Sequence, residues 1–290
     1  MSARNAPSMH RTPINMKLSL QSTMKALSAG CALLLSGAAA QAQALQNYTN
    51  FDNFDGATEI SEARWLGMER HRMIEGGMLR MIQRDLGSQT GNSGVFSNSF
   101  GTTLMTSLAV TQMKGVITVN AFEASHCAAS GEVGFVQARL AGAFFNAGPG
   151  VPSASNRVND VGAVIRLRRD SNSADPANVL RVQGTVFQCT TADCNYGTIS
   201  LGDVDLGTAL IGAPVTLRME WDQPNKRFNF YRDADPVKRV TYSVSDSLAP
   251  GQGSKSIGTR TTIANCMAGR TTGFMDAKFD NIYVNASAAP

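Results

Sequence analysis

Four arginines in this sequence are spaced so that their side chains can meet on one face of a β-sheet. Arg166 and Arg168 are two residues apart, and side chains two apart on a strand point to the same face. Arg139 and Arg181 belong to neighbouring segments with strand-like patterns. Because guanidinium groups form paired hydrogen bonds with carboxylates, such a cluster would suit an acidic ligand such as an acidic glycan. Alternatively, all four are ordinary outward side chains.

Residue types that could catalyse a reaction are sparse. His71 and His126 are the only histidines after residue 44, and the sequence contains neither a G-x-S-x-G nor an H-E-x-x-H motif. The first reads as a surface histidine between two arginines, and the second as a neighbour of a disulfide. We therefore predict no catalytic residue. Tyr196 is the best candidate for an exposed aromatic ring on which a sugar could stack.

Residues 1–44 have the features of a secretory signal peptide. They carry basic residues and no acidic one, and a short apolar run, Cys31–Leu35, precedes the small residues of Ala40–Ala44. The apolar run is too short to span a bilayer, which takes about 20 residues. We therefore expect residues 45–290 to form the mature chain, exported to the periplasm or the medium of a Gram-negative bacterium.

Some details of this segment stay open. Translation can start at Met1 or Met16, and cleavage can follow Ala42 or Ala44. An alternative is a lipoprotein anchored through Cys31, but that residue precedes the leucine run, whereas a lipidated cysteine should follow it. No transmembrane segment is predicted.

The charge of the chain gives no support for nucleic-acid binding. Its formal net charge is +4, with 26 basic and 22 acidic residues, and only 17% of all residues are charged. Four of the basic residues lie in the predicted signal peptide, so the mature chain is formally neutral. Non-specific attraction to DNA or to anionic lipid therefore has no basis in the overall charge.

Four cysteines remain after the signal peptide, which favours two disulfides in an exported chain. Cys189 and Cys194 are close enough to close a small loop, and Cys127 and Cys266 would then pair over a long one. A zinc site is the alternative, but it would need nearby histidines, and only His126 adjoins a cysteine.

Short β-strands account for most of the remaining sequence. In Val215–Asp222 apolar and polar residues alternate, a turn follows at Gln223–Lys226, and Arg227–Tyr231 alternates again. Similar patterns predict strands at Val116–Ala124, Phe135–Phe145, Val161–Arg168, Val179–Phe187, Val237–Val244 and Gly273–Val284, a strand-turn-strand at Ala63–Arg84, and long loops at Asn146–Asn156 and Ala249–Ser256. We predict an all-β fold, an antiparallel β-sandwich formed by one domain of residues 45–290.

The order of several short motifs resembles the concanavalin A-like lectin/glucanase superfamily, particularly its LamG-like and laminarinase-like jelly rolls. The motifs are Phe51–Gly56, then Trp65, then Ile74–Arg80, then Val215–Asp222, and finally Gly273–Val284, which contains F-D-N-I-Y-V. The resemblance implies two curved antiparallel sheets with a concave face that commonly holds carbohydrate. It does not imply an activity, because the fold serves hydrolases, lyases, lectins and structural modules.

The resemblance also implies candidate residues for a metal ion and for catalysis. Relatives bind structural Ca²⁺ at positions that correspond to Asn53, the carbonyl of Gly77, and Asp280. Alternatively, Asn53 and Asp280 satisfy backbone donors at strand ends. The glucanase motif E-x-D-x-E is matched only by Glu220 and Asp222, and the third carboxylate is missing.

Three interpretations of the function remain at this point. The first is an exported, non-catalytic β-sandwich that binds carbohydrate or belongs to a surface assembly. The second is a divergent polysaccharide hydrolase or lyase that uses the concave face. The third is a structural or adhesive module without a small ligand. The oligomeric state is not predicted.

Overall fold

The described part of the chain forms an antiparallel β-sandwich of thirteen strands. The computed structural model describes residues 69–104, 110–149, 152–194 and 197–285. The strands are β1 (Glu69–Glu75), β2 (Met78–Leu86), β3 (Val95–Thr103), β4 (Gln112–Ala124), β5 (Phe135–Asn146), β6 (Asp160–Asp170), β7 (Val179–Cys189), β8 (Thr198–Leu210), β9 (Pro214–Asp222), β10 (Arg227–Arg232), β11 (Lys238–Thr241), β12 (Lys255–Ala264) and β13 (Thr272–Val284). The predicted all-β class and antiparallel sandwich are confirmed.

The strands form two sheets with antiparallel pairing between neighbours. The seven-stranded sheet has the order β1-β2-β13-β4-β9-β10-β11, and the six-stranded sheet has the order β3-β12-β5-β6-β7-β8. Both sheets contribute to one hydrophobic core, which includes Phe228 and Phe279 from the first sheet and Leu140 and Ile165 from the second. In the part of the chain described, no helix is long and apolar enough to cross a membrane.

The alternation seen in the sequence decides which side of each strand faces the core. In β9, Val215, Leu217 and Met219 are at most 2% exposed, while the residues between them face outward. A 3-10 turn at Gln223–Asn225 then leads into β10, as the hairpin prediction requires. The β1–β2 hairpin turns at two glycines with positive φ angles, a conformation that glycine adopts without steric cost.

Some strand predictions were incomplete. The predicted strand Val237–Val244 is wrong at its C-terminal end, because β11 ends at Thr241 and Tyr242 leaves the strand to donate a hydrogen bond to Asp246. Strands β3, β8 and β12 were not predicted. Their Ser, Thr and Gly content resembles that of loops, and the predicted loop Ala249–Ser256 overlaps β12 by two residues because the strand begins at Lys255.

Both predicted disulfides are present. Cys127 and Cys266 connect the β4–β5 loop to the β12–β13 loop, with Cα atoms 5.7 Å apart, and both side chains are buried. Cys189 and Cys194 connect the end of β7 to the loop that follows it, with Cα atoms 5.0 Å apart. The four cysteines are therefore used for cross-links.

Lys255, at the start of β12, is a buried cation. It is 1% exposed, its ammonium donates a hydrogen bond to the carbonyl of Ala143, and it lies 4.2 Å from the centre of the Phe144 ring. Burial lowers the pKa of Lys255 to about 7. The unfolded chain, in which lysine titrates near its usual pKa of about 10.4, therefore binds more protons than the folded protein between these two values.

The variant Lys255→Met tests whether Lys255 is a buried cation with a lowered pKa. Below pH 7 the buried charge of Lys255 lowers the free energy of unfolding of the wild type by its full amount. This destabilisation decreases as the pH rises from 7 toward 10. We therefore expect the variant to be more stable at pH 6.5, with an advantage that shrinks by at most about 1.4 kcal/mol per pH unit above pH 7. Urea unfolding at several pH values measures this. A difference that does not change with pH would contradict the assignment.

Candidate functional site

The outer face of the six-stranded sheet carries arginines in two adjacent rows across the strands. Residues directly opposite each other on neighbouring strands share a face. One row runs from β3 to β7 and consists of Ser99, Arg260, Gln137, Arg168 and Arg181. The next row contains Arg139 on β5 opposite Arg166 on β6. The four arginines singled out from the sequence therefore lie on one face.

A cleft of about 220 Å³ lies over the middle of this face. Three arginines of the two rows, Arg139, Arg166 and Arg260, line it, and Arg157 joins them from the β5–β6 loop. Serine, threonine, alanine and glycine residues and two phenylalanine rings form most of the remaining wall. Among the described residues that line the cleft, none is Asp, Glu, His or Tyr.

Arg139 and Arg166 are partly buried cations close to other cations. Burial lowers the pKa of Arg139 to about 9, and the charges of Arg260 and Arg166 contribute to this shift. Burial also lowers the pKa of Arg166 to about 10; the charge of Arg168 adds to this shift, and the charges of Asp203 and Asp170 oppose it. Both groups are still charged at neutral pH, so an anion in the cleft would relieve their mutual repulsion.

The hydrogen bonds of these two arginines go to neutral groups. Arg139 donates to the hydroxyl of Ser99 at 3.1 Å, and Arg166 donates to Gln183 and to the hydroxyl of Thr185. Within the described residues, neither guanidinium forms an ion pair with a carboxylate of this chain. Their charges are therefore available to a ligand.

Arg168 and Arg181 differ from this pair because carboxylates neutralise them. Arg168 contacts Asp170 at 2.5 Å, and Arg181 contacts Asp175 at 2.6 Å and Asp205 at 3.6 Å. Neither lines the cleft, although both lie on the same face. The structure therefore places them beside the cleft, where they would contact only a ligand that extends along the row.

Arg260 was missed in the sequence because β12 was not predicted. Its guanidinium donates to the hydroxyl of Ser97, and it lies 5.9 Å from the centre of the Phe135 ring. Arg168 stacks on the same ring at 3.9 Å. The available signal was the spacing by two of Ile257, Thr259, Thr261 and Ile263, all buried, with Arg260 less buried between them.

Loops that meet at one buried carboxylate close one end of the cleft. Asp160 accepts hydrogen bonds from the side chain of Asn146 and from the backbone of Gly251, and it lies 3.7 Å from Arg157. Cys194, in the small disulfide loop, lines the cleft at this end. Tyr196, predicted as a stacking platform, lies outside the described residues.

The other residues considered for chemistry lie elsewhere. Glu220 faces outward on the seven-stranded sheet, where it accepts hydrogen bonds from Tyr231 at 3.0 Å and Gln112 at 3.2 Å. Asp222 binds Arg227 at 2.7 Å in the β9–β10 turn. His71 and His126 are exposed, and neither lines the cleft.

The residues proposed for Ca²⁺ are described only in part. Gly77 lies in the β1–β2 turn and Asp280 on β13, at the same end of the paired strands β2 and β13. The two carboxylate oxygens of Asp280 accept hydrogen bonds from the backbone and side chain of Asn281. Asn53 lies outside the described residues, within which no cluster of three or more His, Cys, Asp or Glu side chains occurs. The calcium site stays a prediction.

Thermal unfolding with calcium and with a chelator tests that prediction. If Ca²⁺ bridges the two ends of the chain, we expect the midpoint to rise with calcium, since a ligand at a hundred times its Kd stabilises by about 2.7 kcal/mol. The variant Asp280→Asn, which removes one hard anionic ligand, should abolish the increase. Identical midpoints for the wild type in both buffers would contradict the site.

Comparisons with known proteins yield structural neighbours only. No protein-family model matches the chain, and no curated protein matches its sequence. Similar solved structures include a carbohydrate-binding module, CBM66, from Bacillus subtilis (11% identity, TM-score 0.31, 74% of this chain and 90% of that one). They also include a β-1,3-glucanase from Mycobacterium marinum (13% identity, TM-score 0.33, 72% of this chain and 75% of that one). A third is the SPRY domain of human HERC1 (10% identity, TM-score 0.29, 74% of this chain and 98% of that one). At these TM-scores the likeness carries no argument about this chain.

Proposed function

We propose that this protein is an exported β-sandwich that binds an acidic glycan on the outer face of its six-stranded sheet, without catalysing a reaction on it. The observation that carries the proposal is the pair Arg139 and Arg166. These partly buried, adjacent guanidiniums line a cleft and have no carboxylate partner among the described residues. Charge-assisted hydrogen bonds to a carboxylate or sulfate would compensate for their burial and repulsion.

The chemistry of the cleft supports binding over catalysis. Glycoside hydrolysis uses a pair of carboxylic acids, and proton abstraction beside a uronate uses a base such as His or Tyr. The described lining offers arginines, hydroxyls and one amide instead. The two disulfides support export, since such cross-links persist in oxidising compartments.

We also propose that the chain is a concanavalin A-like jelly roll. Within the described part of the chain, the residues that carry this resemblance fall on the β1–β2 hairpin, on β9, and on β13, which pairs with both β2 and β4. In this fold a curved sheet face commonly holds carbohydrate. The arginine-lined cleft lies on a sheet face.

Binding to a panel of immobilised polysaccharides tests the function. We expect retention on polygalacturonate or chondroitin sulfate, weakening with added salt, and no retention on the neutral glucan laminarin. The variant Arg139→Gln should reduce retention. Arg239→Gln, which removes an exposed arginine from β11, is the matched control and should not. Equal retention of the wild type on neutral and acidic polymers would overturn the proposal.

A further inference from the structure

Gln137 is an unusual residue in the arginine rows because it is a buried polar side chain that faces the cleft. Only 1% of it is exposed, and it lines the cleft. On the neighbouring strands it lies opposite Arg260 of β12 and Arg168 of β6. Its side-chain oxygen, Oε1, is buried and has no hydrogen-bond partner among the described residues. Most buried polar atoms in folded proteins have a partner, so this exception needs an explanation.

The surroundings of Gln137 indicate which partner its oxygen lacks. The guanidiniums beside it are directed elsewhere: the hydrogen bonds described for Arg260 go to Ser97, and Arg168 donates to Asp170. A carbonyl oxygen can only accept a hydrogen bond, so the missing partner is a donor. An anion alone, such as a carboxylate or sulfate, has no proton to donate.

We infer that the side-chain oxygen of Gln137 accepts a hydrogen bond from a hydroxyl of the bound ligand, whose anionic group is held by Arg139 and Arg166. The ligand is then an acidic sugar with a free hydroxyl near its charged group. Gln137 is thereby a specificity-determining residue that separates acidic sugars from other anions. This inference rests on the proposed function and identifies the class of ligand more closely.

Discrimination between ligands with and without a hydroxyl follows from the free-energy cost of leaving the buried oxygen of Gln137 unpaired. A ligand without a hydroxyl occupies the same arginines but leaves the buried oxygen of Gln137 without a donor, as it is among the described residues of the chain alone. Methionine has a similar volume to glutamine and presents no such oxygen. Replacing Gln137 with Met should therefore weaken binding of a hydroxylated anion and leave binding of a hydroxyl-free anion unchanged.

Titration calorimetry with two probes of equal charge measures this difference. The probes are tetragalacturonate, which carries carboxylates and hydroxyls, and an acrylate tetramer, which carries carboxylates alone. We expect the wild type to bind tetragalacturonate about tenfold more tightly, and Gln137→Met to lose most of that preference. Arg139→Gln should weaken both probes, and the thermal midpoint of each variant confirms folding.

The possible outcomes separate the two proposals. Equal affinity of the wild type for both probes would overturn the role of Gln137 and leave anion binding intact, and this result does not depend on any variant. A loss of affinity in Gln137→Met that is equal for both probes would show a structural role and would also overturn it. If the wild type binds neither probe and retains no acidic polysaccharide, the proposed function fails too.

Discussion

Replacing both Arg139 and Arg166 with glutamine is expected to weaken binding of an acidic oligosaccharide by about a hundredfold or more. Each guanidinium can form a charge-assisted hydrogen bond to the anionic group, and such bonds contribute about 1.5–3 kcal/mol each. The two residues lie directly opposite each other on β5 and β6, so a single anionic group can contact both. Titration calorimetry at fixed ionic strength measures the change.

Folding stability provides the control for this double variant. The two cations are partly buried and close together, so removing them should leave the free energy of unfolding unchanged or raise it. The single variant Arg239→Gln changes the net charge at an exposed site on β11 and should keep nearly full affinity. A double variant that folds normally and binds as tightly as the wild type would contradict the assignment of the cleft.

Removal of the disulfide between Cys127 and Cys266 is expected to lower the stability of the protein strongly. The bond between Cys127 and Cys266 closes a loop with a sequence separation of 139, whereas that between Cys189 and Cys194 has a separation of 5. In the chain-entropy treatment, removing the first by alanine substitution should lower the free energy of unfolding by about 5 kcal/mol, and removing the second by about 2 kcal/mol.

Denaturant unfolding under non-reducing conditions measures both changes by linear extrapolation. Each double alanine variant is compared with the wild type, and the short-loop variant is the control for the loss of two cysteines. Equal destabilisation by the two variants would contradict an effect that depends on loop length. The short loop also borders the cleft through Cys194, so its removal should reduce glycan affinity more than the other variant does.

The shared face of Arg166 and Arg168 could be predicted from the sequence because periodicity along one strand determines it. Side chains two apart on one strand point the same way, which places Arg166 with Arg168. The separation into a cleft pair and a neutralised pair could not be predicted, because it depends on the register between strands. Arg139 lies opposite Arg166, whereas Arg181 reaches Asp175 in the loop before its own strand.

The contribution of β12 was hidden for a different reason. The segment Lys255–Ala264 has three Thr, one Ser and one Gly among its ten residues, and no strand was predicted there. Strand β12 lies between β3 and β5, so side chains from distant parts of the sequence surround it. The position of Arg260 opposite Gln137 and the unpaired oxygen of Gln137 depend on this strand pairing and could not be predicted from the sequence.

Recognition of an acidic glycan by the arginine cleft can be tested by comparing tetragalacturonate with its fully methyl-esterified form. The two share the same sugar rings and hydroxyls and differ in their negative charge. We predict that the charged form binds and that the ester binds at least about a hundredfold more weakly, because the uncharged ester cannot form an ion pair with the guanidiniums of Arg139 and Arg166. Equal binding of the two forms would contradict recognition of an acidic glycan by the arginine cleft.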